Sequence, residues 1–540
     1  MIPSGHVDTF ARDNLPPAES WPDFPGLDTL GYRDRLNVAS ELIDRHVAEG
    51  RGARVALVGE GVSWTFAELH RRIDAVAHML VDIGFQPGNR VLLHSANTPM
   101  MAAIYFAIIK AGGVVVATMP LLRAKELRPI IEKAQISFAF TQSKLFDTLA
   151  EAARETTCQG PVAYDQPGFE DPIRRAANAG AEFPACNTAS DDVCLIGFTS
   201  GTTGVPKGTM HFHRDILAIC DCYGANVLCA SPDDRFIGSP PLAFTFGLGG
   251  LVLFPWRIGA AAILIEKAAP DDLMAAIARH RASVVFTAPT AYRAMLGKLD
   301  EHDLSSLRLC VSAGEALPKA TFEAWREATG ITILDGIGAT EMLHIFIGAP
   351  HGKVRPGATG LPVPPYEARV IDDTGAPCPP GVPGRLAVRG PTGCRYLADA
   401  RQHDYVQDGW NVTGDTYICD EDGYFWYQAR SDDMIISSGY NIAGPEVEAG
   451  LLTHPAVAEA GVVGAPDPER GQICKAYVVL KAGVAADAAM VKTLQDHVKA
   501  ELAPYKYPRA VAFVDCLPRT ETGKLQRFAL RERAKTEASA

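Results

Sequence analysis

Residues 198 to 208 read Phe198-Thr199-Ser200-Gly201-Thr202-Thr203-Gly204-Val205-Pro206-Lys207-Gly208. Four hydroxyls, three glycines and one lysine fall within eleven residues, directly after an apolar run of strand length from Val193 to Phe198. Such a loop can turn several backbone N–H groups towards one anion. Glycine permits close approach and positive φ, the hydroxyls of Thr199, Ser200, Thr202 and Thr203 donate to phosphate oxygens, and Lys207 adds fixed charge. The pattern differs from a Walker-type loop, which needs Gly-Lys followed by Ser or Thr; here Lys207 follows Pro206 and precedes Gly208.

Working outward, the chain alternates between helix and strand. Thr65 to Glu68 form a capping-box signature ahead of a helical stretch with apolar Leu69, Ile73, Val76 and Leu80, stopped by Gly84 and Pro87-Gly88. Val91 to Leu93 read as a buried strand. The alternation returns at Leu273 to His280, Ser283 to Phe286 and a helix after Pro289. This is the pattern of α/β architecture with buried sheets. The almost wholly apolar stretch 99–120 has Lys110 at its middle, and Gly112-Gly113 break it. A helix ending near Lys110 and a buried strand from Val114 to Thr118 are expected there, not a membrane span. Between about 350 and 430, dense Pro and Gly and short segments such as Arg385 to Val388 predict a smaller β-rich unit. After Arg430 the α/β character resumes, and the tail turns basic.

At 540 residues the chain exceeds what a single core usually holds. The hydrophobic fraction of 47% and charged fraction of 21% are those of a globular protein. A net charge of -12 argues against general nucleic-acid binding, so an anionic substrate must be met by local basic groups. The 12 cysteines are scattered without paired CxxC spacing, which predicts reduced thiols in a cytoplasmic setting and no structural zinc. The opening residues, with Asp8, Arg12 and Asp13 among prolines, lack the make-up of a secretory leader.

Further short motifs follow the glycine-rich loop in order. Gly338-Ala339-Thr340-Glu341 offers a hydroxyl and a carboxylate after a tight turn; a carboxylate beside a phosphate site needs a cation between them, which suits Glu341 to Mg²⁺. Gly409-Trp410-Asn411-Val412-Thr413-Gly414-Asp415 ends in an acid able to accept both ribose hydroxyls. Arg430-Ser431-Asp432-Asp433 leads to Ser438-Gly439-Tyr440, and Pro518-Arg519-Thr520-Glu521-Thr522-Gly523-Lys524 sets a lysine on a turn in the basic tail.

Together these motifs resemble the adenylate-forming superfamily over residues 35 to 530. Asp335 to Phe346, Ser312 to Pro318 and Ala503 to Arg509 are similar to the benzoate-CoA ligase group. The opening His6 to Asp13 resembles its 2-aminobenzoate branch. The resemblance implies a large N-terminal domain of two α/β subdomains plus a small β-rich subdomain, residues 36–431, after an irregular lead-in, 1–35. A small mobile α+β C-terminal domain, 432–540, would follow. It also implies ATP, Mg²⁺ and coenzyme A, no nucleic-acid or membrane partner, and a monomer or homodimer. By the same resemblance Thr199, Ser200, Gly201, Thr202, Thr203, Gly204 and Lys207 hold the terminal phosphates. Thr340 meets the α-phosphate and Glu341 the metal. Gly314, Glu315, Ala316, Asp335, Gly336 and Ile337 form the adenine slot, Asp415 and Arg430 take the ribose, and Lys524 is the catalytic lysine. Asp432 is the hinge, with Ser438 and Gly439 along the CoA arm. Two positions depart from the family pattern: Ile337 replaces an adenine-stacking aromatic, and Asn441 replaces an arginine.

The acid's pocket corresponds to residues 240–249, with Phe244, Thr245, Phe246 and Gly247, and to His344. Walls of Phe244, Phe246 and Ile337 suit a flat ring better than a long flexible chain. His344 reads either as a pocket contact or as a satisfied core residue, and Thr245 or His344 is a candidate for an ortho-amino group. The expected activity is an AMP-forming aryl-CoA ligase acting on 2-aminobenzoate. Benzoate, another substituted benzoate, or loading of a carrier protein are the alternatives.

Overall fold

The computed structural model describes the chain except Glu60, residues 200–205, 431, 432, 438, 439, 468, 469, 503, 520–523 and 540, and the side chains of residues 440, 441, 504 and 539. Among the described residues the strands form four sheets. A six-stranded sheet runs Gln159–Ala163, Phe138–Thr141, Arg90–His94, Val114–Thr118, Val193–Thr199, Lys207–Phe212. All but its last pair are parallel. A nine-stranded sheet runs from Leu361–Pro362 at one edge, through Ile333–Gly338, Leu309–Ser312 and Val284–Thr287, to Val62–Thr65. The central strands of both are buried along their whole length, as parallel strands covered on two faces must be. A five-stranded antiparallel sheet occupies Glu367–Arg430, and another five-stranded sheet lies within residues 435–513.

Local chemistry fixes the elements that carry the site. Glu68 N donates to Thr65 Oγ1 at 3.2 Å and Thr65 N to Glu68 Oε2 at 2.8 Å, closing the capping box of helix Phe66–Asp82. Leu69, Ile73, Val76 and Leu80 are all fully buried beneath it. The apolar run resolves into helix Pro99–Lys110, capped by Thr98, and strand Val114–Thr118. Lys110 ends the helix inside the protein, paired with Asp74 and, at 2.9 Å, with Asp44; His70 bridges the two carboxylates. Among the described residues no helix is long and apolar enough to cross a membrane. All twelve cysteines are free thiols.

Two features differ from the sequence expectation. Strand Leu361–Pro362, which the Pro- and Gly-rich composition assigns to the β-rich unit, instead extends the nine-stranded sheet by antiparallel pairing with strand Ile345–Gly348. The lead-in is short in regular structure, but it is fastened. Arg12 pairs with Asp191 at 3.2 Å and Asp192 at 3.0 Å, Asp8 pairs with Arg90, and Trp21 and Phe24 cover the guanidinium of buried Arg395.

Candidate active site

In sequence the glycine-rich stretch joins two neighbouring strands of the six-stranded sheet. Strands Val193–Thr199 and Lys207–Phe212 pair antiparallel, with Thr199 directly opposite Lys207. Of the residues expected there, Ser200, Gly201, Thr202, Thr203 and Gly204 lie outside the described residues, as do Asp432, Ser438 and Gly439. The hairpin stem needs its glycines. A side chain on Gly197 would meet Thr340 Cγ2 at 2.8 Å, and one on Gly208 would meet the Phe198 ring at 2.9 Å. Gly197 thus brings the Gly-x-Thr-Glu turn against the stem.

That turn is held from behind. His211 Nε2 donates to the Thr340 carbonyl at 2.7 Å. Further back, Asp215 pairs with Arg395 at 2.8 Å, both fully buried. Burial works to raise the Asp215 carboxyl, but Arg395, His211 and Arg214 outweigh it and hold it down to about 2. Glu341 is 8% exposed and accepts a hydrogen bond from the Tyr396 hydroxyl at 2.6 Å. No lysine, arginine or histidine pairs with it among the described residues. A nearly buried carboxylate without a cationic partner among the described residues fits a hard divalent ion such as Mg²⁺.

Asp415 and Arg430 face each other on neighbouring strands, and the Arg430 guanidinium donates to Asp415 Oδ1 at 3.2 Å. Burial pushes the Asp415 carboxyl up, opposed by Arg430. Strand Leu309–Ser312 delivers Gly314, Glu315 and Ala316 to the same cleft, Gly314 with φ +89°. Lys524 arrives over this turn: a side chain on Gly314 would lie 3.6 Å from its Nζ. The surroundings lower the Lys524 ammonium below the usual lysine range by desolvation, while Glu315 and Asp415 act to raise it and Arg430 to lower it. Burial likewise raises Glu315, against Arg519 and Lys524.

Strand Ile333–Gly338 supplies Asp335, Gly336 and Ile337. Asp335 Oδ1 is buried without a hydrogen-bond partner among the described residues. Burial pushes this carboxyl up to about 8, against weaker pulls from Ser312 and the Gly336 N–H. Gly336 has no room for a side chain, with Ile345 Cγ2 at 2.7 Å from where its Cβ would be.

The pocket segment 240–249 turns into the short helix Thr245–Leu248, with half-buried Phe244 at its N-cap. Gly247 packs against the Pro241 carbonyl, 2.1 Å from where a Cβ would stand. Phe246 meets Phe286 at 5.6 Å and His344 at 5.8 Å between ring centroids, and His344 meets Phe254 at 4.6 Å and Tyr223 at 5.4 Å. His344 is 2% exposed, and neither ring nitrogen makes a well-formed hydrogen bond. Burial lowers it to about 3, so the imidazole is neutral. It is therefore a buried but unsatisfied member of an aromatic box, not a satisfied core histidine.

Sequence reasoning left out Tyr396, His211, Arg395, Tyr223, Phe254 and Phe286, all of which line or brace the cleft. Their only sequence signal is that of ordinary core residues. Asn97 belongs with them: its amide donates to the Pro240 carbonyl at 3.0 Å and accepts from Leu242 N at 2.7 Å, fixing the approach to Phe244.

Comparison with known proteins agrees with this fold. Residues 44–396 match the model of the AMP-binding enzyme family, and 446–524 that of the AMP-binding enzyme C-terminal domain. A benzoate–CoA ligase of Thauera aromatica is 36% identical over 96% of this chain and 98% of its own length. The 4-hydroxybenzoate–CoA/benzoate–CoA ligase of Rhodopseudomonas palustris is 33% identical over 92% of this chain and 94% of its own. Among solved structures, the anthranilate CoA ligase AuaEII in complex with anthranoyl-AMP superposes with a TM-score of 0.88 at 35% identity, covering 95% of this chain and 99% of that one. A benzoate CoA ligase from Burkholderia xenovorans LB400 has a TM-score of 0.84 at 33% identity, covering 92% and 100%. The chain belongs to the AMP-binding family of adenylate-forming enzymes, as an AMP-forming acid–thiol ligase.

Proposed function

We propose that this protein is an aromatic acid–CoA ligase acting on 2-aminobenzoate. The observation that carries the reading is the meeting of Lys524, Gly314 and the Asp415–Arg430 pair in one cleft, with Lys207 reaching the Gly-x-Thr-Glu turn through Tyr396 and the box of Phe246, Phe286 and His344 following that turn. In the first half-reaction a carboxylate oxygen attacks the α-phosphorus of ATP. The bond to the bridging oxygen breaks, and pyrophosphate leaves with the electron pair. Two anions approach each other in that step, and the Lys524 ammonium stands between them. Preorganised charge of this type is worth roughly 10²–10³ in rate. The hairpin hydroxyls and Lys207 hold the terminal phosphates, and Thr340 donates to the α-phosphate. Mg²⁺ held by Glu341 supplies neutralising charge to the triphosphate. Asp415 and Arg430 hold the ribose, and the backbone of 314–316 with Asp335 to Ile337 forms the adenine slot.

In the second half-reaction the CoA thiol attacks the acyl carbon, loses its proton to solvent, and AMP departs as the C–O bond breaks. The C-terminal domain, 432–540, turns about Asp432, withdraws Lys524, and brings Ser438 and Gly439 beside the pantetheine arm. The substrate assignment is supported by the neutral, unsatisfied imidazole of His344, which can accept from an aromatic N–H, and by the likeness to a structure holding anthranoyl-AMP. A panel of benzoate, 2-, 3- and 4-aminobenzoate and hydroxybenzoates, each offered CoA or a phosphopantetheinylated carrier, tests it. Highest kcat/KM for 2-aminobenzoate with CoA is expected. A preference for another ring removes the substrate assignment, and indifference to free CoA removes the thiol acceptor.

A further inference from the structure

Tyr396 stands between the two groups assigned to the metal and to the phosphates. Its hydroxyl donates to Glu341 Oε1 at 2.6 Å, and the Lys207 ammonium lies 5.1 Å from its ring centroid. The tyrosine itself is fully buried and cannot drift. Its flanks are stitched to the second strand of the hairpin, Lys207–Phe212: Met210 N donates to the Arg395 carbonyl and Leu397 N to the Gly208 carbonyl, both at 2.8 Å. Tyr396 N donates to Gln402 Oε1 at 2.9 Å, and Gln402 Nε2 donates in turn to the carbonyls of Ser20 and Cys394.

We propose that Tyr396 is the positioning residue for Mg·ATP, holding Glu341 by one oxygen so that Oε2 is free for the metal, and seating Lys207 on its ring until the triphosphate arrives. A carboxylate ligand with two free oxygens samples several orientations; a phenol bonded to one of them leaves a single productive one. A hydrogen bond to a charged acceptor is among the stronger kinds, and removing such an outer partner typically costs about 10–100-fold in metal affinity. The ring adds a cation–π seat that keeps the lysine from pairing directly with Glu341. The proposal rests on the reading of Glu341 as the metal contact.

Calorimetric titration of ATP at a series of Mg²⁺ concentrations, without aromatic acid, tests it. In the wild type Mg²⁺ is expected to tighten ATP binding. Tyr396→Phe keeps the ring and is expected to lose about 10–100-fold of that Mg²⁺-dependent gain while binding AMP as the wild type does. Glu341→Gln is expected to lose the same gain, and the double variant, which no longer buries a charge without its donor, no more than either single one. A Tyr396→Phe enzyme with wild-type Mg²⁺ dependence, or one that loses AMP and Mg·ATP binding equally, overturns the positioning role. Equal ATP binding by wild type and Glu341→Gln at every Mg²⁺ concentration overturns instead the underlying metal assignment.

Discussion

At the scale of single residues the candidate site holds buried groups that lack partners among the described residues. Asp335 is the plainest. Its carboxyl is pushed up to about 8 by burial, so the folded protein holds a proton there that the unfolded chain releases near pH 4. The folded pKa lies above the unfolded one, so this group's contribution to stability falls as pH rises through that window. An adenine amino group donating to the carboxylate favours the ionised form, which gives the opposite trend for nucleotide binding. AMP affinity, measured by calorimetry, is expected to rise about tenfold between pH 6.5 and 8, and the rise is expected to be absent in Asp335→Asn. A pH profile shared by both proteins would remove Asp335 from the adenine slot. Gly249 makes a second case. A methyl group there would stand 2.4 Å from His344 Cδ2 and 3.2 Å from Phe254. Overpacking of this kind costs about 1–3 kcal/mol, so Gly249→Ala should raise KM for the aromatic acid roughly tenfold and leave KM for ATP alone. An unchanged KM for the acid would place the ring elsewhere. Sequence could name Asp335 and His344 through the family's motif, but their missing partners are properties of the fold alone.

Elements were legible where a local signal was strong. The Thr65–Glu68 box, the helix stop at Lys110 and the strand before the hydroxyl-rich loop all lie where propensity, capping and burial agree. The β-rich unit was misjudged at its start, because composition registers proline and glycine but not which sheet edge a strand pairs with. Strand Leu361–Pro362 joins the nine-stranded sheet through the register of Ile347 with Pro362. The buried Lys110 network is an element-scale device, tying helix Pro99–Lys110 to Asp74 on helix Phe66–Asp82 and to Asp44. Removing one partner leaves a buried charge unpaired, so Lys110→Met is expected to lower unfolding free energy by about 3–5 kcal/mol. The double variant Lys110→Met/Asp74→Leu should recover part of it. Denaturant unfolding checks both, and a loss below about 1 kcal/mol would mean that the network is solvated.

At the scale of the whole molecule, short motifs scattered over more than three hundred residues become one cleft only when four sheets and the lead-in come together. The order of the motifs was readable; the bracing was not. Trp21 and Phe24 reach Arg395, Arg395 reaches Asp215, and His211 beside it holds Thr340. No local pattern links residue 21 to residue 340, because the link is made by packing. The C-terminal residues set Lys524 over Gly314, the placement that the proposed adenylating role of Lys524 requires. The most direct test is rapid-quench measurement of both half-reactions for wild type and Lys524→Ala. The account predicts that aryl-adenylate formation from 2-aminobenzoate and Mg·ATP slows by at least about 10²-fold in the variant, while conversion of preformed aryl-AMP to the thioester proceeds at close to the wild-type rate. Equal slowing of both steps, or an unaffected first step, would contradict it.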